Sequence, residues 1–152
     1  PIAYCAVVNS TTQSVFVYER APAKADYQED RLRGLLSLGI GGHIDYEDGN
    51  NQDIIQTSML REIEEEVNFG GIGFTPRLRG YINIEHGVHA VHFGIFYIIE
   101  TGSENVKLNG KEGHKQRFVS ISELEDIANQ FEEWSQVVLP DIKEYLESNH
   151  RL

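Results

Sequence analysis

The residues best suited to chemistry lie in one short acidic segment, Arg61-Glu62-Ile63-Glu64-Glu65-Glu66-Val67. Positions i, i+3 and i+4 of a helix share one face, so Glu62, Glu65 and Glu66 are predicted to point the same way. Three carboxylates held together repel one another. A hard divalent cation such as Mg²⁺ reverses that repulsion, because it prefers oxygen ligands. The segment therefore predicts a cation site along one edge of a helix.

Apolar residues around this segment predict how the helix is placed. Met59, Leu60, Ile63 and Val67 fall on the arc next to the acidic one, which predicts a helix over 52–67 docked onto a sheet. Residues 68–71 follow it, and their asparagine and glycines tolerate the left-handed conformation that ends a helix. A glutamate-rich helical face is more often a solvated surface, so the neighbouring elements decide between the two interpretations.

Those neighbouring elements are mainly strands. Segments rich in Val, Ile, Tyr and Phe predict strands at 2–8, 14–18, 35–40, 74–84, 88–99 and 117–121. A glycine pair at 41–42 predicts a turn after the third strand, and 20–33 and 107–116 are expected to be loops. A short helix is predicted from Ser122 and a longer one over 131–147, interrupted near Pro140. Strands interspersed with helices predict an α/β sandwich.

Composition excludes several classes of protein. The chain has 152 residues and a net charge of −11, which opposes binding to duplex nucleic acid because that affinity comes mainly from Lys and Arg. Its apolar runs are shorter than a membrane-spanning helix needs. The single cysteine, Cys5, has no partner for an internal disulfide. We therefore expect a cytoplasmic protein that binds neither duplex nucleic acid nor a membrane.

Gly42 followed by residues 61–69 resembles the Nudix box, a glycine-led loop and then Arg-Glu-apolar-x-Glu-Glu-x-Gly-apolar. One helical position departs from it, since Asn68 stands where the family usually has glycine. The loop also departs, through an insertion of about five residues within 45–52. As a result, Glu47, Asp48 and Asp53 remain alternatives for the acidic residue that the family has between the glycine and the arginine.

The resemblance implies a fold, a cofactor and a reaction. A Nudix-like α/β/α sandwich with a mixed β-sheet is expected, as a single domain over residues 1–152. Glu62, Glu65 and Glu66 would hold Mg²⁺ or Mn²⁺, with the Gly42 carbonyl as a further ligand. Nudix enzymes cleave a phosphoanhydride bond of a nucleoside diphosphate linked to another group.

The resemblance also implies roles for residues outside the metal set. Arg61 would orient one of the carboxylates through an ion pair, and the general base would be a box glutamate or Glu112 in the 107–116 loop. Arg20, Arg33 and Arg79 are the candidates for phosphate contacts, because loops and strand ends before the box line the substrate cleft in this family. The expected partner is a small nucleotide-like molecule, and a homodimer is compatible with the resemblance.

Two functions stay open at this point. A metal-dependent pyrophosphohydrolase is favoured because all three helical carboxylates are present. A catalytically silent Nudix-like domain that senses a nucleotide is the alternative, and the interrupted loop favours it. No signature of a particular subfamily is recognised, so the sequence leaves the substrate open.

Overall fold

The computed structural model of the chain describes residues 1–20, 34–45, 53–83, 93–110 and 113–150. Its elements, in chain order, are β1 (Ile2–Asn9), β2 (Ser14–Arg20), β3 (Leu36–Ser37), β4 (Ile40–His43), α1 (Ile54–Glu66), β5 (Val67–Asn68), β6 (Phe74–Asn83), β7 (Phe93–Thr101), β8 (Lys107–Leu108), β9 (Gly113–Ser120), α2 (Ile121–Ile127) and α3 (Glu133–Ser148), with a 3₁₀ turn at Ala128–Gln130 before α3. None of the helices within these ranges is long and apolar enough to cross a membrane.

Seven of the described strands form one mixed sheet. Its main path is β3-β2-β1-β7-β6, while β4 also pairs with β1 and β9 also pairs with β2. The pairing of β1 with β7 is parallel, and the other pairings in this sheet are antiparallel. Strand β7 lies between β1 and β6 and is buried over most of its length, as a strand with apolar residues on both faces should be.

Helices cover the sheet on both faces. Side chains alternate along β1, so that Ala3, Cys5 and Val7 pack with Met59 and Ile63 of α1. The side chains between them face α2 and α3 on the other side of the sheet and pack with these buried residues: Leu124, Trp134, Val138, Ile142 and Leu146. We call the two sides the α1 face and the α3 face. The α/β class and the mixed-sheet sandwich expected from the sequence are confirmed.

The acidic helix matches its prediction closely but ends differently. Ser58, Met59 and Ile63 are its buried residues. At Val67 the backbone becomes extended (φ −125°, ψ 132°), and 67–68 then pair with β8. The prediction of a left-handed helix stop at Asn68 was therefore wrong. The left-handed residues come later, at Gly70 and Gly71, after the ribbon of β5 and β8 has drawn the chain away from the helix axis.

The glycine pair at 41–42 is also not the predicted turn. Both residues belong to β4, where Tyr4 pairs with Gly41 and Ala3 pairs with Gly42. Gly41 has a φ of 152°, and a Cβ there would lie 1.9 Å from the Ala3 carbonyl oxygen. Glycine is required because two backbones approach too closely for a side chain, a contact that the local sequence does not reveal.

Two further predictions were wrong in detail. Much of the loop expected over 107–116 is strand, because β8 pairs with β5 and β9 begins at Gly113 and pairs with β2. Helix α3 continues through Pro140. Proline removes one helical hydrogen bond, but Val138 and Ile142 on either side of it are buried against the sheet and hold the helix together.

A buried carboxylate joins the start of α3 to the sheet. Glu132 is 3% exposed. Its Oε1 accepts hydrogen bonds from the Tyr4 hydroxyl at 3.0 Å and from Ser37 Oγ at 2.7 Å, and its Oε2 accepts one from Arg20 Nε at 2.6 Å. These donors stabilise a charge that would otherwise be costly to bury. Burial, together with the Glu132 charge, raises the pKa of Tyr4 well above its usual value.

The same network fixes the segment between β3 and β4. Leu38 donates its backbone N–H to Ser135 Oγ at 3.2 Å, and the Gly39 carbonyl accepts from the Tyr18 hydroxyl at 2.5 Å. A Cβ at Gly39 would overlap the Tyr4 ring, which packs directly against this backbone. The chain therefore enters β4 in one defined position.

Replacing the buried carboxylate should destabilise the fold. In Glu132→Ala, four donors lose an acceptor, and we expect the free energy of unfolding to fall by about 3 kcal/mol in urea denaturation. Glu125→Ala is the control, because Glu125 is exposed and pairs with Lys143 at the surface, so its loss should cost about 0.5 kcal/mol. Equal unfolding midpoints for the two variants would contradict the role given to Glu132.

Candidate active site

The acidic helix meets the sheet where the Glu62 carboxylate lies over Gly42. A Cβ built on Gly42 would lie 2.6 Å from both Cδ and Oε1 of Glu62 and 2.8 Å from Oε2. The Glu62 side chain is only 14% exposed, although it carries a charge. Gly42 is not among the glycines with positive φ, so the requirement for glycine here comes from the carboxylate above it.

Arg61 joins this carboxylate to the next one along the helix. Its Nη1 donates to Glu62 Oε1 at 2.9 Å and lies 3.5 Å from Glu65 Oε2. Its Nη2 donates to the His43 carbonyl at 3.4 Å, which ties α1 to the end of β4. The structure thus places an arginine against Glu62, one of the three glutamates that the sequence singled out.

The three glutamates lie along one edge of α1 but differ in their surroundings. The Glu65 side chain is 58% exposed, and Glu66 is half-buried. No three His, Cys, Asp or Glu side chains converge into a metal set within the described ranges. The three glutamates thus follow one edge of α1 without converging on one point, and Arg61 lies between Glu62 and Glu65.

Asn109 ties a second segment to the end of α1. It donates its Nδ2 hydrogen to the Glu65 carbonyl at 2.9 Å and its backbone N–H to the Glu66 carbonyl at 2.8 Å. Carbonyls in the last turn of a helix lack helical partners, so these bonds cap α1. Sequence reasoning missed Asn109, because an asparagine in a polar segment gives no sign of a partner 44 residues away.

Known proteins resemble this chain both in sequence and in fold. YmaB of Bacillus subtilis is 35% identical over 146 residues, which cover 91% of this chain and 68% of YmaB. The crystal structure of Tm1382, assigned to the Nudix hydrolases, superposes with a TM-score of 0.73 at 23% identity, over 95% of this chain and 70% of Tm1382. The chain belongs to the family of YmaB and has the Nudix fold. No family model matches the chain.

Two further Nudix-fold structures were solved with ligands. The NUDIX domain of Shewanella oneidensis NrtR, complexed with ADP ribose, has a TM-score of 0.65 at 13% identity, over 95% of this chain and 86% of that one. A bifunctional NMN adenylyltransferase/ADP ribose pyrophosphatase from Francisella tularensis, complexed with AMP and a Mn ion, also has a TM-score of 0.65, at 15% identity. The match covers 95% of this chain and 41% of the bifunctional enzyme.

Two of the arginines predicted to contact phosphate form ion pairs with acidic residues on the α3 side of the sheet. Arg20 Nε bonds to Glu132, which directly precedes α3. Arg79 binds Asp141 through Nε and Nη2, both at 2.8 Å, and lies 5.4 Å from the centre of the Tyr145 ring. The hydrogen bonds that Arg79 donates to the Asp141 carboxylate raise the pKa of Arg79. Neither arginine is brought to Glu62, and Arg33 lies outside the described residues.

The sequence left three residues as alternatives for the acidic position in the loop half of the Nudix box. Asp53 directly precedes α1, and the nine residues from Asp53 to Glu62 correspond to about 14 Å along a helix axis. Asp53 therefore does not share a cation with Glu62. Glu47 and Asp48 lie outside the described residues, as does Glu112, which follows Asn109 by three positions.

Cys5 lies beneath the acidic helix without taking part in its chemistry. It is fully buried on the α1 face. Burial raises the pKa of its thiol far above the usual range, and the negative charge of Glu62 raises it further. A thiol that stays protonated is a poor nucleophile, so Cys5 is a packing residue beneath the helix.

Adding one methyl group at Gly42 should disable the site without unfolding the chain. The new Cβ of Gly42→Ala displaces the Glu62 carboxylate, and a shift of about 1 Å costs about a hundredfold in rate. The measurement is the hydrolysis expected from the Nudix resemblance, followed as release of the nucleoside monophosphate. Gly73→Ala is the control, since a Cβ there meets nothing within 4 Å. Full activity in Gly42→Ala would exclude this contact from the active site.

Removing the Asn109 side chain should separate positioning from stability. Asn109→Ala loses one bond at the end of α1, and we expect a loss of about 1 kcal/mol in unfolding free energy with a several-fold lower kcat. Asn149 is a matched control, because its Nδ2 donates to the Tyr145 carbonyl at 2.7 Å at the end of α3. Asn149→Ala should lose similar stability and keep its kcat. Equal kcat in both variants would show that Asn109 only caps the helix.

Proposed function

We propose that the chain is a Mg²⁺- or Mn²⁺-dependent pyrophosphohydrolase that cleaves a nucleoside diphosphate linked to another group, in one domain over residues 1–152. The observation that carries the proposal is the Glu62 carboxylate held over Gly42 by Arg61, at the sheet edge of an acidic helix in a Nudix fold. A lone buried cysteine fits a reducing, cytoplasmic location, which we include in the proposal.

The donor set of this edge fits a hard cation. Glu62, Glu65 and Glu66 offer carboxylate oxygens in consecutive turns of α1, and Gly42 leaves open the space that a Cβ would fill. We assign these four residues as the ones that would hold Mg²⁺ or Mn²⁺. When bound, such an ion acidifies a water molecule and offsets the negative charge of the phosphates.

The remaining residues of the region position the acidic ones. Arg61 donates a charge-assisted hydrogen bond to Glu62 and so sets the orientation of its carboxylate. Asn109 holds the segment after β8 against the carbonyls of Glu65 and Glu66. This anchor supports our assignment of Glu112, a few residues further on, as a candidate general base beside the box glutamates.

A nucleotide sensor is the second candidate function. It is favoured by the contact of Arg61 with both Glu62 and Glu65, which neutralises part of the acidic edge without a cation. The NUDIX domain of NrtR, which shares the fold, was solved with ADP ribose. A sensor would bind such a nucleotide without turnover, so turnover distinguishes the two functions.

The test compares two neighbouring glutamates of α1. We expect Glu65→Gln to lower the Mg²⁺-dependent formation of nucleoside monophosphate from a panel including ADP-ribose by about a hundredfold, since it removes a charge from the cation site. Glu64→Gln is the matched control on the outward side of the same helix, where its residue is exposed, and should keep full activity. EDTA should abolish the wild-type rate. Turnover that survives both EDTA and Glu65→Gln would rule out the proposed hydrolase, and binding without any turnover would favour the sensor.

A further inference from the structure

Two aromatic rings lie stacked and exposed on the α1 face of the sheet. Tyr81 of β6 is 68% exposed and Phe93 of β7 is 41% exposed. Their ring centroids are 5.4 Å apart and their planes differ by 28°. Leu78, on the same face of β6, is also exposed. Large apolar side chains on a sheet face beside a candidate active site favour a binding surface over ordinary surface variation.

Strand register connects this pair to Gly42. Gly42 pairs with Ala3, Ala3 pairs with Ile95, and Ile95 pairs with Tyr81, so the four residues form one row across β4, β1, β7 and β6. Paired residues share a face, and Ala3 and Ile95 both pack on the α1 face. Tyr81 therefore lies three strand spacings, about 14 Å, from Gly42, on the side of the sheet that carries Glu62.

This distance and chemistry fit the base of a nucleotide. With the phosphates at the Glu62 edge, a nucleotide lying along this row would direct its base toward the rings, about 14 Å away. Aromatic side chains stack on any base, because every base has a π-face. Asn83 lies on the same face of β6, opposite Phe93 in the strand register, and its exposed amide offers a donor and an acceptor for a base edge.

We propose that Tyr81 and Phe93 form a base-stacking subsite that selects nucleotide substrates, with Asn83 beside it. The inference rests on the proposed function for the position of the phosphates. In this proposal the rings bind the base and the acidic edge binds the phosphates. Tyr81 is then a specificity residue that acts on binding and not on the bond that is cleaved.

The experiment measures binding of ADP and of inorganic pyrophosphate, each with Mg²⁺, by calorimetry. Wild type should bind ADP at least tenfold more tightly than pyrophosphate. Tyr81→Ala should weaken ADP binding about tenfold and leave pyrophosphate binding unchanged, whereas Tyr81→Phe, which keeps the ring, should bind ADP like wild type. Val137→Ala is the control, because Val137 is 50% exposed on α3 and lies away from the row.

Three results would overturn the subsite. The first is wild type binding ADP no better than pyrophosphate, and the second is Tyr81→Ala binding ADP as wild type does. The third is a wild-type dimer in sedimentation that Tyr81→Ala converts to a monomer, which would identify the rings as a contact between two copies of the chain. Failure of the hydrolase is seen separately, as turnover unaffected by Glu65→Gln, so the two proposals can fail independently.

Discussion

The contact between the Glu62 carboxylate and Gly42 sets the distance between the acidic helix and the sheet. It permits no side chain at position 42, and it requires β4 to stay in place beneath the helix. Pairing with β1 holds β4 laterally, while the Glu132 network holds the segment that leads into it. The position of the Glu62 carboxylate on the α1 face thus depends on Glu132, a second carboxylate that is buried on the α3 face.

These two carboxylates illustrate opposite solutions to the same electrostatic problem. Glu132 is surrounded by donors from four elements of the chain, which satisfy its carboxylate oxygens in the interior. Glu62 forms an ion pair with Arg61 and lies next to other acidic residues on the same helix. A site that is less than fully compensated is expected where function competes with stability.

The sequence carried enough information for the parts of the fold that depend on local periodicity. Helix α1, its buried Met59 and Ile63, and the central strand β7 all follow from apolar spacing. The contacts that were missed join residues far apart in the chain: Gly41 against Ala3, Asn109 against Glu65, and Arg79 against Asp141. Their partners are fixed by sheet topology, which a single sequence leaves open, so local patterns predicted a turn at Gly41 and did not predict the partners of Asn109 and Arg79.

The ion pairs of the arginines bear on how an acidic chain would bind phosphate. Arg20, Arg61 and Arg79 are each paired with carboxylates at 2.6–2.9 Å, so each already neutralises charge within the protein. The chain as a whole carries a net charge of −11. A pyrophosphate approaching Glu62 meets acidic side chains whose charge Arg61 only partly offsets, so further positive charge is needed at that point. A cation along the Glu62–Glu66 edge would supply it at the point where the phosphates would lie, which is why we propose a metal-dependent activity.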